Sequence, residues 1–174
     1  LPMRPMAELT QKERLQPSLL DRLTDSEPDK KQESRDKRVL SLSKLREGVI
    51  RDLAWLFNSG NLETTEDLSD YPHVARSVVN FGLPDLAGKT VSGLDVKAVE
   101  KLLKQIIQNF EPRILSNTLR INVSSQESAM SANALTFDIE GEMWAQPTPQ
   151  RLFLRTEIDL ESGAFAVREH NGRG

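Results

Sequence analysis

The apolar residues of this chain change period at Pro112. Before it, Val96, Val99, Leu103, Ile106 and Phe110 step by three and four, with Leu102 and Ile107 widening the stripe, as on one face of an α-helix. After it, Leu119, Ile121 and Val123 alternate with Arg120, Asn122 and Ser124, as on a half-buried strand. Pro112 enforces the change, because it has no N–H to donate and disfavours helical geometry at Glu111. A chain that switches period once, in its middle, builds a helical layer and a sheet from separate halves. Glu111 then carries its negative charge at the negative end of a helix dipole. That mismatch costs a few tenths to about 1 kcal/mol unless a cation compensates it. Arg113, two residues on, is the nearest candidate, with an arginine of a neighbouring protein as the alternative.

The helical half holds two further periodic stretches. Leu42, Leu45, Val49, Leu53 and Leu56 share one face, with Trp55 and Phe57 widening it, and Asn58-Ser59-Gly60-Asn61 predicts a stop with Gly60 as a left-handed cap. His73 through Phe81 is long enough for two turns of helix. In the third helix Asp95 is a plausible N-cap, and Glu100 stands in the favourable order four residues before Lys104. The second half continues with Leu135, Phe137 and Ile139, then Leu152, Leu154, Thr156, Ile158 and Leu160, then a turn at Glu161-Ser162-Gly163 and a last strand through Phe165 and Val167. Short loops between successive strands imply an antiparallel meander. The expected fold is α+β, with about three helices on one face of a three- to four-stranded antiparallel sheet, in a single domain spanning 39–170 and followed by a flexible tail at 171–174.

Residues 1–38 read as an N-terminal extension. Within 15–23, Pro17 suits a first helical turn, and Leu15, Leu19, Leu20 and Leu23 form one apolar stripe. Two turns are unstable alone in water, so this leucine anchor must dock, either on its own domain or in a partner's groove. Thr24 to Arg38 balances five acids against five bases with no apolar residue between them. Such a segment buries too little surface to offset its ordering entropy and reads as a solvated tether, or else as an exposed salt-bridged helix.

Chemistry is harder to place. A net charge of −3 over 174 residues gives no footprint for nucleic acid or an anionic membrane. With no cysteine and only His73 and His170, no thiol chemistry and no clustered metal site is expected, and no cofactor motif is found. No apolar run approaches the roughly 20 residues that cross a bilayer, so the chain is expected to be cytosolic without direct membrane insertion. Gly88-Lys89-Thr90 resembles part of a phosphate loop, but Leu83 stands where its first glycine belongs. The charges of Asp138, Glu140, Glu142, Arg155, Glu157 and Asp159 fit the wet face of a sheet. Glycoside hydrolysis needs a carboxylic acid in an apolar pocket away from cations, and Glu111 has Arg113 beside it. No residue is therefore expected to be catalytic.

Taken together, the Ser18-Leu19-Leu20-Asp21-Arg22-Leu23 segment, the charged tether, the Glu111-Pro112-Arg113 tripeptide between helix and strand, and the C-terminal antiparallel sheet resemble the TssE family. Its members are baseplate subunits of bacterial type VI secretion systems, similar to the wedge proteins of contractile phage tails, and the likeness runs from Leu15 to Glu169. The resemblance implies a structural role in a cytoplasmic baseplate docked near the inner membrane, with other wedge subunits and sheath subunits as partners. It implies that Glu111, Pro112 and Arg113 act in assembly, that Leu19, Leu20 and Leu23 form a partner-binding segment, and that the sheet templates the first sheath ring by strand contacts. The family's older lysozyme-like label makes peptidoglycan hydrolysis the alternative, and a single-partner regulatory module of similar fold is another.

Overall fold

The computed structural model describes residues 18–24, 29, 42–86, 95–124, 134–145 and 148–170. Leu15, Pro17, the bulk of the charged tether and the tail at 171–174 lie outside them. Helices α1 (Leu19–Leu23), α2 (Leu42–Phe57), α3 (Pro72–Ala75) and α4 (Val96–Phe110) precede strands β1 (Arg120–Ser124), β2 (Ala134–Met143), β3 (Gln150–Asp159) and β4 (Phe165–Glu169). The strands form one antiparallel sheet in the order β1-β2-β3-β4, so the α+β layering expected from the change of period is borne out.

Alternation along the strands makes the core. Ile121, Leu135, Phe137, Ile139, Leu152, Leu154 and Ile158 are buried, and with them Leu45, Val49, Leu53 and Leu56 of α2 and Val99, Leu103, Ile106 and Ile107 of α4. Helix α2 lies against β4 and α4 against β1, the two edge strands of the sheet. Side chains reach the edges by hydrogen bonds. The Phe165 N–H donates to Asn58 Oδ1 at 3.0 Å, and Asn58 Nδ2 donates back to the Phe165 carbonyl at 3.0 Å. Asn58, just past the end of α2, therefore occupies the position of a neighbouring strand residue. On the other edge the Val123 N–H donates to Glu100 Oε1 at 2.9 Å, so Glu100 is turned to the sheet and not only toward Lys104 as its spacing suggested.

Three local expectations are corrected. Gly60 is not the left-handed residue; the positive φ values belong to Gly82 (126°) and Gly163 (73°). The end of α2 is closed instead by side chains, with Asn58 Nδ2 on the Ala54 carbonyl and Ser59 Oγ on the Trp55 carbonyl. Gly82 is required because a Cβ there would sit 2.3 Å from the Ser59 carbonyl oxygen. The 73–81 stretch is not one helix: α3 stops at Ala75 and a separate 3₁₀ turn covers Val78–Asn80. Ser77 Oγ takes the Val74 carbonyl and accepts the Val79 N–H, while Asn80 Nδ2 takes the Ala75 carbonyl, so side chains outbid the helical ladder. Trp55 does not widen the core face of α2; it is exposed, whereas Phe57 is buried.

Candidate assembly site

Helix α4 runs out at Phe110 because Pro112 cannot extend it, and Glu111 closes it as C-cap, its N–H on the Ile107 carbonyl at 2.8 Å. The residue leaves helical geometry (φ −123°, ψ 76°) and is only 3% exposed. A carboxylate buried at the negative end of a helix needs a cation, and Arg113 supplies it as a fork. Arg113 Nε donates to Glu111 Oε1 at 2.7 Å, Nη2 to Oε2 at 2.5 Å, and the Arg113 N–H to Oε1 at 3.2 Å. The partner left open by the sequence is thus the chain's own arginine. The turn is then tied to the end of β2: the Trp144 N–H donates to the Arg113 carbonyl at 2.7 Å and the Leu115 N–H to the Glu142 carbonyl at 2.8 Å. Pro112 stands exposed at its tip.

The fork does not end at Glu111. Arg113 Nη2 also donates to Asp52 Oδ2 on α2, at 2.6 Å. Asp52 Oδ1 accepts from Arg51 Nε at 2.9 Å, and Arg51 Nη1 donates to Asp21 Oδ1 on α1, at 2.5 Å. Asp21 Oδ2 in turn accepts from the hydroxyl of Ser18, the N-cap of α1, at 2.6 Å. Five charged side chains thus form one relay from the leucine segment to the tripeptide. Gly48 of α2 lies beneath the relay: a Cβ there would meet Asp21 Oδ2 at 3.6 Å and Arg113 Nη1 at 3.7 Å, ordinary contact distances. Arg51 also stacks over the Trp55 ring, 5.1 Å from its centre.

The electrostatics follow from these contacts. Burial alone would lower the Arg113 pKa, but the hydrogen bonds and charges of Glu111 and Asp52 outweigh it and leave the guanidinium above its ordinary value. The hydrogen bond from Arg51 is the main cause holding the Asp21 carboxyl below its ordinary value, and the same bond raises Arg51. Chemically, both oxygens of Glu111 are engaged by a permanently charged guanidinium. That arrangement fixes a turn.

The sequence-selected residues fall into two groups that the relay joins. Glu111 is buried, Arg113 is half-buried and Pro112 is exposed. Leu19, Leu20 and Leu23 point outward, at 70%, 45% and 73% exposure. Helix α1 therefore meets α2 through its polar side, with its apolar side turned to solvent. Asp21, Arg51, Asp52 and Gly48 were not picked out from the sequence. Their signal was there in part, since 48, 51, 52 and 55 share one face of α2 at helical spacing and that face is polar where a core face would be apolar. Among the described residues no group of His, Cys, Asp and Glu side chains could hold a metal ion, and no helix is long and apolar enough to cross a membrane.

No curated protein matches the chain. A solved structure from Geobacter sulfurreducens, provisionally named a tail lysozyme, is similar at 20% identity over 67% of this chain and 92% of that one, with a TM-score of 0.40; a likeness that distant carries no argument. The family model described as "Baseplate wedge protein gp25" matches residues 43–148, from α2 to the threshold of β3 and through the whole Glu111–Arg113 turn. That match spans well over half of the chain and agrees with the TssE resemblance. The chain belongs to the baseplate wedge family and is a structural baseplate component.

Proposed function

We propose that this wedge protein joins larger wedge subunits of a type VI secretion baseplate through Glu111, Pro112, Arg113 and the leucines of α1, and that its sheet templates the sheath by β-strand contacts. The observation that carries the reading is the buried Glu111–Arg113 fork, which spends a strong ion pair on holding an exposed proline turn. Glu111, at 3% exposure, acts by fixing that turn; Pro112 and the outward leucines are the groups a partner can touch. Strand templating is supported by the antiparallel sheet and by ladder alternation, which turns the main chain of Val167 outward on the same side as Phe165. The compartment that suits this work is the cytoplasm, at a baseplate docked near the inner membrane.

The test is Glu111→Ala in cells that assemble the complete system. Loss of wedge subunits from the purified baseplate and of sheath polymerisation is expected. Normal sheath polymerisation in that variant would refute the assembly role of the tripeptide.

A further inference from the structure

The sequence suggests a leucine segment separated by a solvated tether from the domain that carries the tripeptide. The structure connects them differently. Helix α1 is one and a half turns long, too short to hold its shape unaided, and it meets the body through its polar side. Its best-defined contact with the body is Asp21 on Arg51, braced from within by Ser18. Arg51 is in turn clamped by Asp52, and Asp52 by Arg113, the same guanidinium that holds Glu111. Stacking on Trp55 fixes the Arg51 side chain from the other side.

We propose that Arg51 is a positioning residue that, by holding Asp21 and Asp52 together, locks α1 with Leu19, Leu20 and Leu23 outward beside the Glu111-Pro112-Arg113 turn, so that leucine segment and tripeptide meet one wedge partner as a single preformed surface. This rests on the assembly reading above and goes beyond it by assigning the order of events: α1 is docked before the partner arrives. The partner it fits is a protein presenting an apolar cleft to the leucines and an adjoining ledge to Pro112. An ion-pair lock has a further property, since its partly exposed members are screened by salt. Added salt is therefore expected to weaken the hold on α1.

The chain has no cysteine, so spin labels can be placed specifically at Thr24→Cys on the end of α1 and Glu47→Cys on α2, both exposed positions. In the free full-length protein a single narrow distance is expected, broadening in Arg51→Met and recovering in part in Arg51→Lys. Binding to the purified larger wedge subunits is expected to weaken about tenfold or more in Arg51→Met, because a preformed surface is lost. The melting temperature of the body serves as the control for folding. A broad distance in the unmodified protein, or full affinity in Arg51→Met despite a broadened distance, would overturn the lock. If Leu19→Asp together with Leu23→Asp binds the wedge subunits normally, the assembly reading fails instead, whatever the distances show.

Discussion

Two arginine–carboxylate forks can be set side by side in this molecule. Glu111–Arg113 closes the end of α4, and Asp138–Arg155 bridges β2 and β3 on the face away from the helices. The hydrogen bonds are alike in kind, with Arg155 Nε on Asp138 Oδ1 at 2.8 Å and Nη2 on Oδ2 at 3.3 Å. The surroundings are not. The side chains of the sheet pair are 30% and 35% exposed, against 4% for Glu111 and 23% for Arg113. Water can replace either partner on the sheet. Nothing can replace Arg113 beside a carboxylate that has been taken out of water and set against a helix dipole. The same two functional groups therefore make an ornament of the surface in one place and a structural requirement in the other, and only burial distinguishes them.

That contrast can be broken most directly at Arg113. Arg113→Ala leaves an uncompensated buried carboxylate and is expected to cost about 3–5 kcal/mol, a fall in melting temperature of roughly 10 °C or more. A fall of only a degree or two would mean that Glu111 finds water or another cation. Arg155→Ala should cost about 0.2–1 kcal/mol, because the pair is open and screened, and the loss should shrink further in high salt. If denaturant titration gives the two arginines similar costs, burial is not what separates them. The smallest effect belongs to α1. Leu19→Asp should leave the melting temperature nearly unchanged, since that side chain is 70% exposed; a drop of several degrees would show it packing on its own body.

Much of this was readable in the sequence, for reasons that particular residues make clear. The change of period at Pro112 locates the helix–sheet boundary because burial on one face leaves a repeat that survives in the string of residues. The identity of the Glu111 partner was within reach because Arg113 stands only two residues on in the chain. The pairings in the rest of the relay were not, since Arg51–Asp21 and Arg113–Asp52 are separated by 30 and 61 residues, and the shared face of α2 does not say what it meets. The glycines show a similar limit. Gly60 follows a helix and fits the usual cap, yet Gly82 bears the positive φ, where a Cβ would collide with the carbonyl of Ser59, the residue just before Gly60. The break within 73–81 turns on Ser77 and Asn80 competing with the backbone for its own hydrogen bonds, which periodicity does not register.

Asn58 gives the sheet edge an unusual kind of door. An edge covered by a whole helix is uncovered only by moving that helix, a collective motion on the microsecond to millisecond scale. An edge stoppered by one amide is uncovered by breaking that amide's hydrogen bonds and turning two torsions, with the helix left in place. A main chain arriving there, as the strand templating proposed above requires, would restore to Phe165 the same donor and acceptor that the amide supplies. The exchange conserves hydrogen bonds at that rung, so the stopper can prevent idle pairing without adding a lasting barrier to a strand that arrives in register.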